Sequence, residues 1–278
     1  MVGLYLARGL PESEPNNTRY LHIQLLPSSF DASGRANAAQ RLTCFLIDDR
    51  VTVDAGSIGI ALNEAQRRNV RDVIVTHPHM DHIASLPIFV DDLFGELEQP
   101  IRIHATQTVI DLLKRDVFND NVYPRFDELK NERGPVMEYV AFEIGAEFKV
   151  AHLTVTAVPV NHIVPTVGLL VSDGQVTVAF SSDTAETEEF WKLASRTPHL
   201  EALFIEASFP NSMRALAEAS KHLTPAMLHD ELRKLSHNGM DILAVHLKPA
   251  YRETVARELT DLGMSNLSVM EIGRVYEW

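Results

Sequence analysis

The chain of 278 residues holds a single cysteine, Cys44, so no intrachain disulfide can form. That composition suits a reducing compartment. Positive charge is also scarce: 25 Lys and Arg stand against 38 Asp and Glu, a formal net charge of −13. Such a surface repels nucleic-acid backbones and anionic membranes, so neither is expected as a partner. No apolar run is long enough to span a bilayer. The longest, Leu153–Val160 and Val176–Phe180, are short and strand-like. The opening MVGLYLARGLPESEP lacks the basic segment and apolar stretch of a secretory signal, and a cytoplasmic protein is expected. Low-complexity tracts, long linkers and repeats are missing too. One domain over residues 1–278 is expected, with residues 1–18 flexible, including the polar loop Pro11–Thr18.

What the chain does have is an ordinary core composition, 45% hydrophobic and 23% charged, and strand and helix patterns in alternation. Strands are expected over Tyr20–Leu26, Leu42–Ile47, Val51–Val53, Val73–Thr76 and Ile101–Ala105. Apolar spacing predicts a helix and its extension over Asp81–Phe94 and another over Gln107–Val117. Phe118–Pro135, rich in Asn, Pro and charge, reads as a long loop with short helical pieces. The second half alternates strands (Val150–Pro159, Gly168–Ser172, Val176–Ser181, Ala202–Glu206, Ile242–Val245) with helices (Glu188–Ser195, Thr224–Leu235, Arg252–Leu262), and Val269–Met270 is expected as a last strand. Hairpins mixed with βα units argue for α/β layering, helices outside one or two sheets.

The 12 histidines are unevenly spread. Thr76-His77-Pro78-His79-Met80-Asp81-His82 follows the apolar strand Val73–Val75 and opens a helix. In an extended loop His77 and His79 can face one metal, while Asp81 and His82, beyond the turn, face another. Imidazole and carboxylate suit zinc, manganese or iron. His162, Asp183 and His246 each sit just past an apolar strand, on the edge where α/β folds place their sites. Alone, each reads as a loop, core or capping residue. As a set with the first motif they read as ligands.

Asp54-Ala55-Gly56-Ser57, THPHMDH, His162, Asp183 and His246 together resemble the metallo-β-lactamase superfamily over roughly residues 20–275. The resemblance implies an α/β fold, an αβ/βα four-layer sandwich with a metal site at one edge. It puts His77, His79 and His162 on one divalent ion and Asp81, His82 and His246 on the other, with Asp183 bridging and Asp54 orienting ligands. Two ions are implied, zinc first, with Mn²⁺ or Fe as alternatives. The oxygen-reducing diiron branch has Glu at the position of His79, so hydrolysis is expected rather than redox chemistry.

Within the superfamily, HMDHIASLPIFVDD, the Asp116–Phe126 stretch, Phe204–Asn211 with Lys221-His222-Leu223-Thr224-Pro225, and Val245-His246-Leu247-Lys248-Pro249 are similar to the class II cyclic nucleotide phosphodiesterases. Where that family has tryptophans this chain has Asp120 and Tyr123, and Lys221 stands where glycine is usual. The resemblance implies hydrolysis of a 3′,5′-cyclic nucleotide to the 5′-monophosphate by a metal-bridging hydroxide, with a homodimer as the assembly. A cyclic phosphodiester needs a hydroxide, charge neutralisation and a proton for its poor leaving group. His222, held by Glu206, is expected to supply the proton. Asp81, His222 and Glu206 form the expected catalytic set. Thr224 and Pro225 also read as a helix N-cap and first turn, which is compatible. Other hydrolases share the implied fold, among them transfer-RNA 3′-end nucleases and lactone or ester hydrolases. The first of these must hold a polyanion, usually through a basic or glycine-rich arm, and this acidic chain has no Lys/Arg-rich insertion. A small anionic nucleotide is therefore the expected substrate.

Overall fold

The computed structural model describes residues 20–236 and 239–278. The expected flexible start, residues 1–18, lies outside them. In chain order the strands are β1 (His22–Leu25), β2 (Phe45–Ile47), β3 (Val51–Val53), β4 (Asp72–Ile74), β5 (Ile101–Ala105), a minimal hairpin β6 (Lys130–Asn131) and β7 (Gly134–Pro135), then β8 (Met137–Ala141) and β9 (Glu147–Val150). They continue as β10 (Leu153–Pro159), β11 (Val167–Ser172), β12 (Thr177–Phe180), β13 (Leu200–Glu206), β14 (Asp241–Val245), β15 (Leu267–Val269) and β16 (Val275–Glu277). The helices are α1 (Ile58–Ala61), α2 (Glu64–Asn69), α3 (Met80–Ile83), α4 (Leu86–Leu93), α5 (Gln107–Asp116), α6 (Glu189–Ala194), α7 (Arg214–Ser220), α8 (Pro225–Leu232) and α9 (Arg252–Thr260).

Two seven-stranded mixed sheets result, ordered β16-β1-β2-β3-β4-β5-β8 and β15-β14-β13-β12-β11-β10-β9. Between them lies one apolar layer, with Ile23, Phe45 and Val53 from the first sheet meeting Val155, Phe180 and Phe204 from the second. Phe180 and Phe204 stack at 4.5 Å between ring centroids, and Phe45 tilts onto both. The outer faces are covered by helices: Ile58, Phe89 and Ile110 pack on the first sheet, Trp191, Leu228 and Val255 on the second. Central strands such as β12 are buried along their whole length, because both faces are covered. This is the expected four-layer α/β sandwich. Among the described residues no helix is long and apolar enough to cross a membrane.

The differences from the sequence pattern have local causes. The helix expected over Asp81–Phe94 is broken into α3 and α4, with Ser85 turned away between them. Its hydroxyl donates to the Ala55 carbonyl and accepts from the Gly59 amide, a tie to a distant loop. β8 and α7 fall where no element was expected. The last strand is β16 rather than Val269–Met270. It returns to the first sheet and pairs antiparallel with β1, while Leu267–Val269 closes the second sheet.

Candidate metal centre

The parallel strands β12, β13 and β14 run side by side, with Phe180, Phe204 and Leu243 in register. Their carboxyl ends deliver Asp183, Glu206 and His246 to one edge. From the facing sheet β4 delivers His77, and the two rims are stitched by a Ser182 hydroxyl donating to Thr76 Oγ1 at 2.9 Å. Four residues at this rim, Asp54, Ser182, Lys221 and His246, hold positive φ between 53° and 60° without being glycine. Each left-handed residue costs roughly 1–2 kcal/mol. Here each makes the chain turn abruptly, so that a side chain or carbonyl faces the centre.

All seven sequence-predicted ligands come together. His77, His79, His162 and Asp183 offer ligand atoms within 4.8 Å of one another, and so do Asp81, His82, Asp183 and His246. Asp183 belongs to both groups. One of its oxygens, Oδ2, lies 3.7 Å from His77 Nε2, 3.4 Å from His82 Nε2 and 3.2 Å from His246 Nε2. It is 2% exposed, and although burial alone would raise its pKa, His246 and His82 hold it well below the carboxylate range.

The orientation of each imidazole is set from behind. His82 Nδ1–H donates to Asp54 Oδ2 at 2.6 Å. His162 Nδ1–H donates to the Lys221 carbonyl at 3.0 Å, and His77 Nδ1 meets Thr76 Oγ1 at 3.0 Å. His246 Nδ1 meets Thr43 Oγ1 at 3.2 Å. Each bond on Nδ1 leaves the Nε2 lone pair for the centre, the usual arrangement behind a metal-ligating histidine. His79 is turned the other way, its Nδ1 lying 3.2 Å from His162 Nε2.

The residues fit divalent ions on physical grounds. Nε2 of both His77 and His82 is buried without a hydrogen-bond partner, a costly arrangement unless something else fills the centre. Burial keeps His77, His79 and His162 below the ordinary imidazole range, and pushes His246 down to about 4, so these rings are neutral donors. His82 runs opposite: burial opposes its charge, yet Asp183 and Asp54 on either side hold it well above the usual value. The two carboxylates beside it favour positive charge at this position.

The loop behind Asp81 is rigidly backed. Thr43 N–H donates to the Asp81 carbonyl at 2.7 Å and Ala55 N–H to the His82 carbonyl at 2.7 Å. A Cβ on Gly56 would overlap that Asp81 carbonyl and crowd the Thr43 backbone, so only glycine fits.

A second pair sits beside the centre. His222 Nδ1 lies 2.7 Å from Glu206 Oε1, and Asp183, Glu206 and His222 offer atoms within 4.8 Å of one another. Burial tends to discharge His222, but Glu206 outweighs it and the ring stays above its ordinary value. Thr224 also caps α8 with Pro225 in the first turn, as the sequence suggested. Sequence reasoning assigned no role to Thr43, Thr76 and Lys248. Lys248 Nζ lies 3.1 Å from His246 Nε2 and 3.5 Å from Asp81 Oδ2. Thr76 and Lys248 adjoin the motifs and were findable there, while nothing in the sequence marks Thr43.

This fold and edge site are those of a metallo-β-lactamase-type hydrolase, a class whose fold implies divalent metal ions. The chain matches the β-lactamase superfamily domain over residues 50–246 and belongs to that superfamily. It is 27% identical over 235 residues to 3′,5′-cyclic-nucleotide phosphodiesterase 1 of Saccharomyces cerevisiae, a match covering 69% of this chain and 61% of the yeast protein's length. The crystal structure of unliganded yeast PDE1 is similar with a TM-score of 0.75 at 17% identity, covering 92% of this chain and 99% of that one. The metallo-β-lactamase fold protein YhfI of Bacillus subtilis gives 0.71 at 16% identity over 92% and 99% of the two chains. Human tRNase Z, short form, gives 0.63 at 15% identity over 92% and 98%.

Proposed function

We propose that this hydrolase is a phosphodiesterase that converts 3′,5′-cyclic nucleotides, cyclic AMP or cyclic GMP, to 5′-monophosphates. The observation that carries the reading is the buried His222–Glu206 pair at 2.7 Å, set within reach of Asp183 beside two groups of metal donors. His77, His79, His162 and Asp183 would hold one ion, and Asp81, His82, Asp183 and His246 the other, zinc being the first choice for this donor set. Bound there, the ions would supply a hydroxide at neutral pH and neutralise phosphoryl charge.

The chain's own groups do the rest. Glu206 favours the protonated ring of His222, whose Nε2 is then the proton donor for the departing 3′-oxygen. Lys248, partly exposed at the rim, adds a positive charge 3.5 Å from Asp81 Oδ2, beside the donors that would hold the ions. The naming of the yeast relative as a cyclic-nucleotide phosphodiesterase supports the reading. The net charge of −13 speaks for a small anion over a transfer RNA, which needs a broad basic face. The reading places the enzyme in the cytoplasm, in keeping with the free, buried Cys44. The test is product identity with metal-loaded protein. Release of 5′-AMP or 5′-GMP is expected, whereas efficient cleavage of a linear diester or a lactone with neither cyclic nucleotide consumed refutes it.

A further inference from the structure

Resting on the phosphodiesterase reading, we propose that the cleft beside His162 is the base subsite and that Lys221 makes it select guanine over adenine. The cleft measures about 480 Å³ and opens against His162 and Lys221, one residue from His222. That size accommodates a nucleoside. Its walls mix aliphatic and polar side chains: Ile144 and Ile163 are 49% and 56% exposed, Val164 and Pro165 continue the apolar surface, and Thr106, Thr108 and Asn161 add polar groups. No Phe, Tyr or Trp lines it, and its one aromatic ring is the His162 imidazole. The base would lie against aliphatic side chains and be chosen by its edge.

The edge-reading group is Lys221. It holds φ 53° and ψ 55° at the end of α7, a left-handed conformation that glycine adopts without strain. The backbone shape itself is required, because the Lys221 carbonyl orients His162 and the turn brings His222 to the centre. Glycine would meet that requirement more cheaply, so the side chain has its own use. Its ammonium reaches into the cleft wall and donates to the His162 carbonyl at 3.3 Å. An ammonium has three donors and no acceptor, so two remain free to donate to a ligand in place of water. Guanine presents O6 and N7, both acceptors, while adenine presents N7 beside an N6 amino donor. An adenine edge offers the ammonium one acceptor with a donor set against it, and a guanine edge offers two acceptors.

The experiment is steady-state hydrolysis of cyclic GMP, cyclic AMP and cyclic IMP by the wild type, Lys221→Met and Lys221→Gly, all metal-loaded. Wild type is expected to favour cyclic GMP in kcat/KM by roughly ten-fold, the worth of one charge-assisted hydrogen bond. Cyclic IMP, which keeps O6 and N7, follows cyclic GMP. In K221M the ratio falls to about one, mainly through KM. K221G loses the preference likewise while its thermal midpoint stays at or above that of wild type, which separates loss of the ammonium from loss of fold. Equal use of both purines by wild type, or a preference kept in K221M, overturns the guanine inference alone. Hydrolysis of no cyclic nucleotide overturns the phosphodiesterase reading and this inference with it.

Discussion

Replacing Glu206 by glutamine removes one charge and almost no volume, and the structure makes it a severe change. The carboxylate is 1% exposed and accepts from four donors. Oε1 takes the Thr184 amide at 2.9 Å and His222 Nδ1 at 2.7 Å. Oε2 takes the Ser208 hydroxyl at 2.7 Å and the Leu223 amide at 3.2 Å. Glutamine offers one carbonyl oxygen and one amino group. With its oxygen at the first position, the amino group confronts the Leu223 N–H; flipped, it confronts the Thr184 N–H. Ser208 can reverse and accept, but a backbone amide cannot. One buried N–H is orphaned either way, at about 1–3 kcal/mol, and the charge-assisted bond to His222 is lost besides. Relief of a buried charge offsets part of this, leaving a net cost of about 2–4 kcal/mol. Urea unfolding of metal-free E206Q against metal-free wild type reads it directly, without metal binding to mask the difference. A loss under about 0.5 kcal/mol, the size of an unremarkable surface change, refutes the four-donor account.

Three further outcomes are expected. His222→Ala keeps two ions by elemental analysis and slows turnover by about 10²–10⁴, less for a nitrophenyl ester whose leaving group needs no proton; loss of an ion removes the acid assignment. Asp183→Ala, which deletes the oxygen shared by three imidazoles, loses metal and most activity, and a variant retaining two ions disproves the shared-ligand geometry. Asp72, far from the centre, is buried; burial favours its neutral form, but His104 and a bidentate Arg102 bring its pKa down to about 2. Its contribution of about 2 kcal/mol is therefore present above pH about 4 and lost as pH falls toward 2, so wild-type stability drops over that window by about that much more than in Asp72→Asn; parallel acid-unfolding curves count against it.

The sequence by itself determined the α/β layering and the ligand types, and the resemblance of its motifs to a family implied the sandwich. Short apolar runs bounded by turn residues fit strands covered on both faces, and THPHMDH places four donors within six residues. The strands β5 and β10 to β14 stand close to where that pattern puts them, because each is a local run of mostly buried apolar residues. The sequence did not determine β16, whose pairing with β1 joins chain ends that local periodicity does not connect. Nor did it reveal that Asp54, Ser182, Lys221 and His246 turn left-handed, since the compensation for that strain comes from bonds made across the sandwich. The bonds that aim the imidazoles are of the same kind. His82 to Asp54 spans 28 residues, His162 to Lys221 spans 59 and Thr43 to His246 spans 203. Which residues carry donor atoms is a property of composition and spacing. Which lone pairs converge depends on hydrogen bonds between residues that become neighbours only when both sheets are packed.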